Sequence, residues 1–199
     1  TNGLSVHDPR TRAFALIDRV VGGGAVSRVQ SALALYADTD GTLWSGAGSS
    51  GGLLHLDLGG QVLQRYAHDA ARADSLTHDF VQYITRTRDG SLWVASIGGG
   101  LDRLKPDGSG FEHLRHDPAD PASLASDRIY YVADDAAGTL WVATADAGLD
   151  ERCSGCTGFR HHRHDSAGPA AHHECHDCFR RELAERQSGH HHESHHSDG

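Results

Sequence analysis

The sequence predicts an all-β fold built from repeated four-stranded antiparallel units of about 48 residues. First, Trp44, Trp93 and Trp141 are separated by 49 and 48 residues. Second, Gly-Leu pairs begin at positions 52, 100 and 148, and His-Asp pairs begin at positions 68, 116 and 164. Third, apolar and polar side chains alternate between these markers, which is typical of strands. Repeats at a constant spacing indicate the architecture more strongly than local propensity does.

Each strand of one repeat ends at residues typical of turns. FVQYITRT leads to Asp89-Gly90, SLWVASI leads to glycines, LDRLK leads to PDGSG, and FEHLRH leads to the longer segment DPADPASLASD. Asp-Gly and glycine-rich turns supply the positive φ angles of tight hairpins, which favours an antiparallel meander. Four strands in 40 to 50 residues are typical of a β-propeller blade, and the long segment would lead from the outer strand of one blade to the inner strand of the next.

The spacing divides the chain into five parts. We expect the end of a preceding blade at 1–28, blades at 29–76 and 77–124, an incomplete blade at 125–165, and an irregular or disordered His/Cys-rich tail at 166–199. The chain begins at Thr1, inside a repeat and without an initiator Met, so we expect a piece of a longer protein. A seven-bladed ring at this spacing would need about 340 residues, so this partial propeller would form at most half of such a ring.

Composition excludes several classes of function. The 199 residues carry a formal net charge of −9, and the basic residues form no long run, which argues against nucleic acid as a partner. No apolar run approaches the roughly 18 residues of a membrane span, so we expect membrane contact only through segments outside this chain.

The repeats resemble the two-component-regulator propeller repeats of bacterial hybrid histidine kinases and related diguanylate cyclases. The resemblance rests on the units DGSLWVASIGGGLDRL and GTLWVATADAGLDER and the connection HDPADPASLASDRI, and it covers about residues 1 to 165. It implies a periplasmic propeller that senses a small molecule or glycan and reports to a kinase or cyclase in the same protein. The partners would be that ligand, the remaining blades and the signalling modules. The alternative is a protein-interaction scaffold, which is another common use of propellers.

Three motifs in the repeats have structural interpretations. Gly46 to Gly51 match the dinucleotide pattern G-x-G-x-x-G, but the strand-like LLHLDL follows instead of a helix that could receive a pyrophosphate. Asp38 to Gly41 lack the further oxygen ligands of a calcium loop. The His-Asp pairs occur in every copy, so we predict that they order the loops between blades and do not act in catalysis.

Residues that repeat in register specify the blade, whereas a ligand site breaks the symmetry on inner strands and loops. We therefore predict that the three tryptophans pack between blades and that the protein is not an enzyme. The residues at which a site could break the symmetry include Gln82, Arg86, Arg88, Tyr130, Ala133 and Asp134. The sequence does not rank them, so no ligand-binding residue is assigned.

The tail has three open interpretations. Cys153, Cys156, Cys175 and Cys178 form two Cys-x2-Cys motifs with the spacing of a four-thiolate zinc site, although a zinc ribbon would interrupt a blade. Alternatively, the coding frame is lost near Asp165, which would explain why eleven of the 17 histidines lie after residue 160. A histidine-rich metal-scavenging tail is the third interpretation. We expect disorder and no cofactor, with zinc as the alternative.

Overall fold

The structure is a computed structural model that describes residues 4–8, 13–17, 19–22, 25–28, 32–47 and 51–162. The predicted tail therefore lies outside the described residues. Within the described ranges, three four-stranded antiparallel sheets follow one another along the chain, after two two-stranded hairpins. The predicted partial β-propeller is confirmed, and no helix of the described residues is long and apolar enough to cross a membrane.

The strands follow the predicted meander. The hairpins comprise β1 (Leu4–Asp8) with β2 (Ala13–Ile17), and β3 (Arg19–Gly22) with β4 (Ala25–Arg28). Blade 1 comprises β5 (Ala32–Ala37), β6 (Leu43–Ala47), β7 (Leu53–Leu56) and β8 (Val62–Tyr66). Blade 2 comprises β9 (Val81–Arg86), β10 (Leu92–Ser96), β11 (Gly100–Leu104) and β12 (Phe111–Leu114). Blade 3 comprises β13 (Ile129–Asp134), β14 (Leu140–Thr144), β15 (Leu149–Arg152) and β16 (Arg160–His162), so the segment 125–165 contains four strands.

The turns after the inner strands have the predicted backbone conformation. Gly41, Gly90 and Gly138 occupy equivalent positions and have φ values of 82°, 84° and 79°. Because side chains with a Cβ atom disfavour this region, glycine is the natural residue there. Gly46 is favoured for a steric reason, because a Cβ atom on it would lie 2.8 Å from the carbonyl oxygen of Val81 in the next blade. Gly46 lies in strand β6, and the residues Leu53–Leu56 that follow the glycines form strand β7. This agrees with the prediction that the glycine motif does not bind a dinucleotide.

The core lies between the blades. Trp44 is 4% exposed and belongs to a cluster with Val81, Ile84 and Phe111 of blade 2. Trp93, 5% exposed, belongs to the corresponding cluster with residues of blade 3 that include Ile129, Val132, Val142 and Phe159. The predicted packing role is confirmed for these two tryptophans. Trp141 is only half-buried, on the side of blade 3 that no described blade covers.

The indole N–H groups also contribute to the turns. Trp44 and Trp141 donate to the carboxylates of Asp38 and Asp135, at 3.1 and 3.2 Å. Trp93 donates to the hydroxyl of Thr87 at 3.0 Å. In each blade the acceptor lies six residues before the tryptophan, so the indole N–H helps to hold the hairpin turn.

Candidate functional site

The inner strand of every blade contains a β-bulge at the same position. In blade 1, Ala32 pairs with Ala47 and Ala34 with Gly46, which leaves Leu33 as the extra residue. The same register shift leaves Gln82 as the extra residue of β9 and Tyr130 as the extra residue of β13. A bulge locally redirects side chains and often lies near a functional site. We refer to Leu33, Gln82 and Tyr130 as the bulge residues.

The bulge residues are accessible and differ in chemistry. Leu33 is 51% exposed, Tyr130 is 58% exposed, and Gln82 is half-buried. The backbone at this position is therefore repeated, whereas the side chain is aliphatic, amide or phenolic. The structure thus places the predicted candidates Gln82 and Tyr130 at equivalent positions of neighbouring inner strands.

A pair of tyrosines joins blades 2 and 3 beside the bulges. Tyr83 and Tyr131 follow Gln82 and Tyr130, and their ring centroids are 4.6 Å apart with an interplanar angle of 46°. Burial raises the pKa of Tyr83, and a hydrogen bond with Tyr131 raises it further, so the phenol is neutral at physiological pH. Tyr131 is 53% exposed, and the pair therefore presents aromatic surface to solvent.

Residues at the start of the inner strands border the same area. Arg128 forms an isolated β-bridge with Ile97, which is 49% exposed and lies in the turn after β10. The Arg128 guanidinium lies 3.2 Å from the Asp146 carboxylate, in an ion pair in which both side chains are exposed. Phe80 is the equivalent of Arg128 in blade 2, and its carbonyl accepts a hydrogen bond from the Ile97 amide. This end of the inner strands thus combines tyrosine, aliphatic and paired charged groups.

The predicted candidates at the other end of the inner strands form ion pairs between blades. Arg86 of blade 2 binds Asp38 of blade 1, with Nη2 at 2.6 Å and Nε at 3.0 Å from the same Oδ2 atom. Although burial alone would raise the pKa of Asp38, hydrogen bonds from Arg86 and the Thr39 amide hold it below its ordinary value. Arg88 approaches Asp134 of blade 3, with Nε 4.0 Å from Oδ2 and its amide donating to that atom.

These pairs separate the predicted candidates into two groups. The pairs of Arg86 and Arg88 connect neighbouring blades beside the hairpin turns, and Ala133 lies next to Asp134 at that end of β13. Gln82 and Tyr130 lie at the opposite end, beside the bulges. The six candidates that the sequence suggested therefore do not form one site.

Two of the predicted His-Asp pairs, at His68 and His116, order the loops between blades as predicted, and the third, His164-Asp165, lies outside the described residues. The ring N–H at Nδ1 of His68 donates to the carbonyl of Leu76 at 2.9 Å, and His116 makes the equivalent bond to Leu124 at 2.7 Å. The backbone amide of each histidine donates to an aspartate that precedes the next inner strand, Asp79 or Asp127. The histidine and aspartate side chains therefore stabilise the conformation of the loops.

A second set of Asp-His pairs was missed by the sequence reasoning. Asp102, 1% exposed, lies 2.6 Å from His113 Nδ1 and accepts hydrogen bonds from the amide and hydroxyl of Thr77. Burial raises the pKa of Asp102 above its ordinary value. Asp150 and His161 repeat the arrangement in blade 3 at 2.7 Å. The signal was present in the sequence, since both the aspartate after Gly-Leu and the histidine recur after 48 residues.

These Asp-His pairs connect a blade to the loop that precedes it. The Nε2 atoms of His113 and His161 each lie 2.9 Å from a loop carbonyl, Ala73 O and Pro121 O respectively. Because a carbonyl only accepts, Nε2 carries a proton, and both ring nitrogens have partners. The pairs are therefore structural connections, with no ring nitrogen left for a substrate.

Two of the four predicted zinc ligands are joined to each other. Cys153 and Cys156 form a disulfide in the turn between β15 and β16. Cys175 and Cys178 lie outside the described residues, so the four-thiolate site stays a prediction. Among residues 4–162, excluding the undescribed gaps, no group of three or more His, Cys, Asp or Glu side chains is arranged to hold a metal ion.

The fold and repeats define the class of protein as a partial β-propeller. Residues 123–146 match the two component regulator propeller family. This match lies within the repeats whose sequence resembled that family, and it covers one of them in part. A comparison with curated proteins gave no match.

Solved structures show the same fold over most of the chain. The extracellular domain of a putative one-component system from Bacteroides thetaiotaomicron is 21% identical, with a TM-score of 0.63, and the match covers 83% of this chain and 22% of that one. The extracellular domain of a putative hybrid two-component system from the same organism is 21% identical, with a TM-score of 0.59, and the coverage is 71% and 20%. This chain therefore spans about a fifth of the length of those structures.

A third structure with this fold has a different setting. PorZ, an essential bacterial surface component of the type-IX secretion system of Porphyromonas gingivalis, is 22% identical with a TM-score of 0.54. The match covers 75% of this chain and 22% of PorZ. At these identities the comparisons establish the fold alone.

Proposed function

We propose that this chain is part of a ligand-sensing, extracytoplasmic propeller of a transmembrane signalling protein. The repeat family and the fold of extracellular domains of putative one- and two-component systems support this proposal. The remaining blades and the output modules would be supplied by further segments of the protein, and the location would be the periplasm. We assign no catalytic role and no cofactor.

The observation that carries the proposal is the variation at the bulge position. Leu33, Gln82 and Tyr130 have equivalent backbone positions, yet they differ in side-chain chemistry. Blade architecture requires the same residue types in every copy, whereas a ligand contacts each blade differently. At the bulge residues, therefore, the backbone position is the same in every blade, whereas the exposed side chain differs from blade to blade.

The chemistry of the site favours a neutral polar ligand, either a small molecule or a glycan. Tyr130 and Tyr131 expose aromatic surface on which the apolar face of a sugar ring or a planar group can stack. The phenol hydroxyls and the Gln82 amide supply hydrogen bonds without charge. The nearby cation Arg128 is already paired with Asp146, which disfavours an anionic ligand.

A binding screen with matched variants tests the proposal. The full chain is titrated with neutral oligosaccharides and small polar metabolites, and binding is followed by calorimetry. For a ligand found in this way, we expect Tyr131→Ala to weaken binding about tenfold or more, because loss of a stacking ring costs about 1–3 kcal/mol. Leu63→Ala is the matched control, since Leu63 is 47% exposed on the outer strand β8, away from the bulges.

The control and Tyr131→Ala must also have equal melting temperatures. If both variants bind equally well, the tyrosine site is wrong. If no neutral ligand binds the chain, ligand sensing by this surface is rejected.

A protein-interaction scaffold is the second candidate. Leu33, Ile97 and Tyr130 are each about half exposed, and exposed apolar surface is typical of protein contacts. PorZ, a surface component of a secretion system, has the same fold. Tight binding of a protein partner that Ile97→Asp abolishes, without binding of any small ligand, would favour this candidate over sensing.

A further inference from the structure

Blade 3 has a cysteine pair where blade 2 has an ordinary turn. Cys153 and Cys156 occupy the positions of Lys105 and Gly108, since Phe159 follows in blade 3 as Phe111 does in blade 2. In both blades the amide of the fourth turn residue donates to the carbonyl of the first, at 3.0 Å in blade 3 and 2.9 Å in blade 2. The disulfide therefore spans a turn that this fold also forms without it.

The packing below the turn does not need the disulfide either. The amides of Phe111 and Phe159 donate to equivalent loop carbonyls at 2.8 and 2.7 Å. The two phenylalanines are 2% and 3% exposed, so their burial is the same with and without a cysteine pair. A disulfide that closes only four residues also removes little entropy from the unfolded chain. Stabilisation of the fold is therefore a weak explanation for the presence of two cysteines in this turn.

The two sulfur-bearing residues differ in accessibility. Cys156 is 4% exposed, whereas Cys153 is half-buried and precedes the exposed residues Ser154 and Gly155. The Nε–H of Arg152 donates to the carbonyl of Cys156 at 2.8 Å, which places a guanidinium beside the turn. Cys153 is therefore the cysteine that a dissolved thiol can reach more readily.

We propose that Cys153 and Cys156 form a reversible thiol–disulfide exchange site whose substrate is an accessible dithiol. A substrate thiolate attacks Sγ of Cys153, the Cys153–Cys156 bond breaks, and its electron pair leaves on Sγ of Cys156. The second substrate thiolate then attacks the substrate sulfur of the mixed disulfide, and Cys153 leaves as a thiolate. The substrate becomes a disulfide, the cysteine pair gains two electrons, and the two protons of the substrate thiols end on Cys153 and Cys156. The reverse sequence oxidises the pair with a substrate disulfide.

Two experiments on the full chain test this assignment. In a Cys175→Ser/Cys178→Ser background, the protein is incubated with dithiothreitol, alkylated and weighed by mass spectrometry. We expect complete reduction of the pair under native conditions, with the melting temperature of the blades lowered by no more than about 2 °C. In the same background, Cys156→Ser treated with oxidised glutathione should form a mixed disulfide at Cys153 at least about tenfold faster than Cys153→Ser forms one at Cys156.

Several results would overturn the proposal. Reduction only under conditions that unfold the blades, or a large fall in melting temperature on reduction, would make the disulfide a structural crosslink. Equal rates of glutathionylation in Cys156→Ser and Cys153→Ser would contradict the assignment of Cys153 as the sulfur that is attacked first. One tightly held zinc ion per reduced native chain, lost on the Cys175→Ser/Cys178→Ser substitution, would assign the cysteines to the predicted metal site instead.

Discussion

Arg86 of blade 2 and Asp38 of blade 1 form an ion pair of 2.6 Å across the boundary between two blades. The Asp38 side chain is 4% exposed, and it also accepts a hydrogen bond from the indole of Trp44. One carboxylate therefore joins the core tryptophan of its own blade to the inner strand of the next. The pair explains how the blades keep their relative position beside the hairpin turns.

Removal of Arg86 should destabilise the protein. Arg86→Ala leaves a buried carboxylate without its cation, and we expect the free energy of unfolding to fall by about 2–3 kcal/mol in urea denaturation. The control is Arg72→Ala, because the Arg72–Asp74 pair is exposed and should contribute less than about 1 kcal/mol. Equal effects of the two substitutions would contradict the structural role of Arg86.

The same pair predicts a dependence on pH. The pKa of Asp38 in the folded protein is lower than its ordinary value, so its contribution to stability is present above about pH 4 and is lost as the pH falls through the folded value. Arg86→Ala should therefore lose less stability than the parent protein between about pH 5 and pH 2, as measured by urea denaturation. Parallel pH profiles of the two proteins would show that Asp38 is not linked to Arg86.

The tryptophans provide a comparison within one fold. Trp93→Ala should lower the free energy of unfolding by about 3–5 kcal/mol, because the side chain fills the core between blades 2 and 3. Trp141→Ala at the equivalent position should cost clearly less, since Trp141 is only half-buried. Chemical denaturation measures both. A stable Trp93→Ala protein that had lost ligand binding would overturn the packing assignment.

Substitutions at Gly90 and Gly46 should distinguish the cost of backbone strain from the cost of steric contact. Gly90 has a φ of 84°, and a Cβ atom there would meet no other atom within 4 Å, so Gly90→Ala should cost about 1 kcal/mol through strain alone. Asn tolerates this conformation better, and Gly90→Asn should cost less. Gly46→Ala should cost more than Gly90→Ala, because its Cβ would press on the Val81 backbone and separate two blades. The reverse order in thermal denaturation would contradict this explanation.

The outward sides of the blades predict self-association. Leu35 is 50% exposed, whereas its equivalents Ile84 and Val132 are 3% and 1% exposed against the preceding blade. At the other side, Leu149 is half-buried, while the equivalent Leu53 and Leu101 are fully buried. We expect the isolated chain to form oligomers or aggregates in analytical ultracentrifugation, because apolar surfaces of this kind drive association. A monodisperse monomer with a sharp cooperative melt would contradict this expectation.

The local features of the fold could be predicted from residue order alone. Alternation, turn residues and a constant spacing are properties of short segments, and a strand or hairpin depends mainly on such segments. The four strands per blade, the positive φ of Gly90 and the loop role of His68 and His116 followed from these signals. Trp44 and Trp93 could be assigned to the core because they recur in register, whereas Trp141 at the equivalent position is only half-buried.

The candidate site depended on tertiary structure. Arg86 and Gln82 are four residues apart and looked equally suitable for a ligand, yet one binds Asp38 across a blade boundary and the other lies at a bulge. A bulge is set by the pairing register of two strands, and the ion pair joins residues 48 positions apart. Neither relationship is contained in a short segment. The blade type thus follows from local periodicity, whereas the residues available to a ligand are decided by contacts between blades, since burial and pairing are properties of the assembled fold.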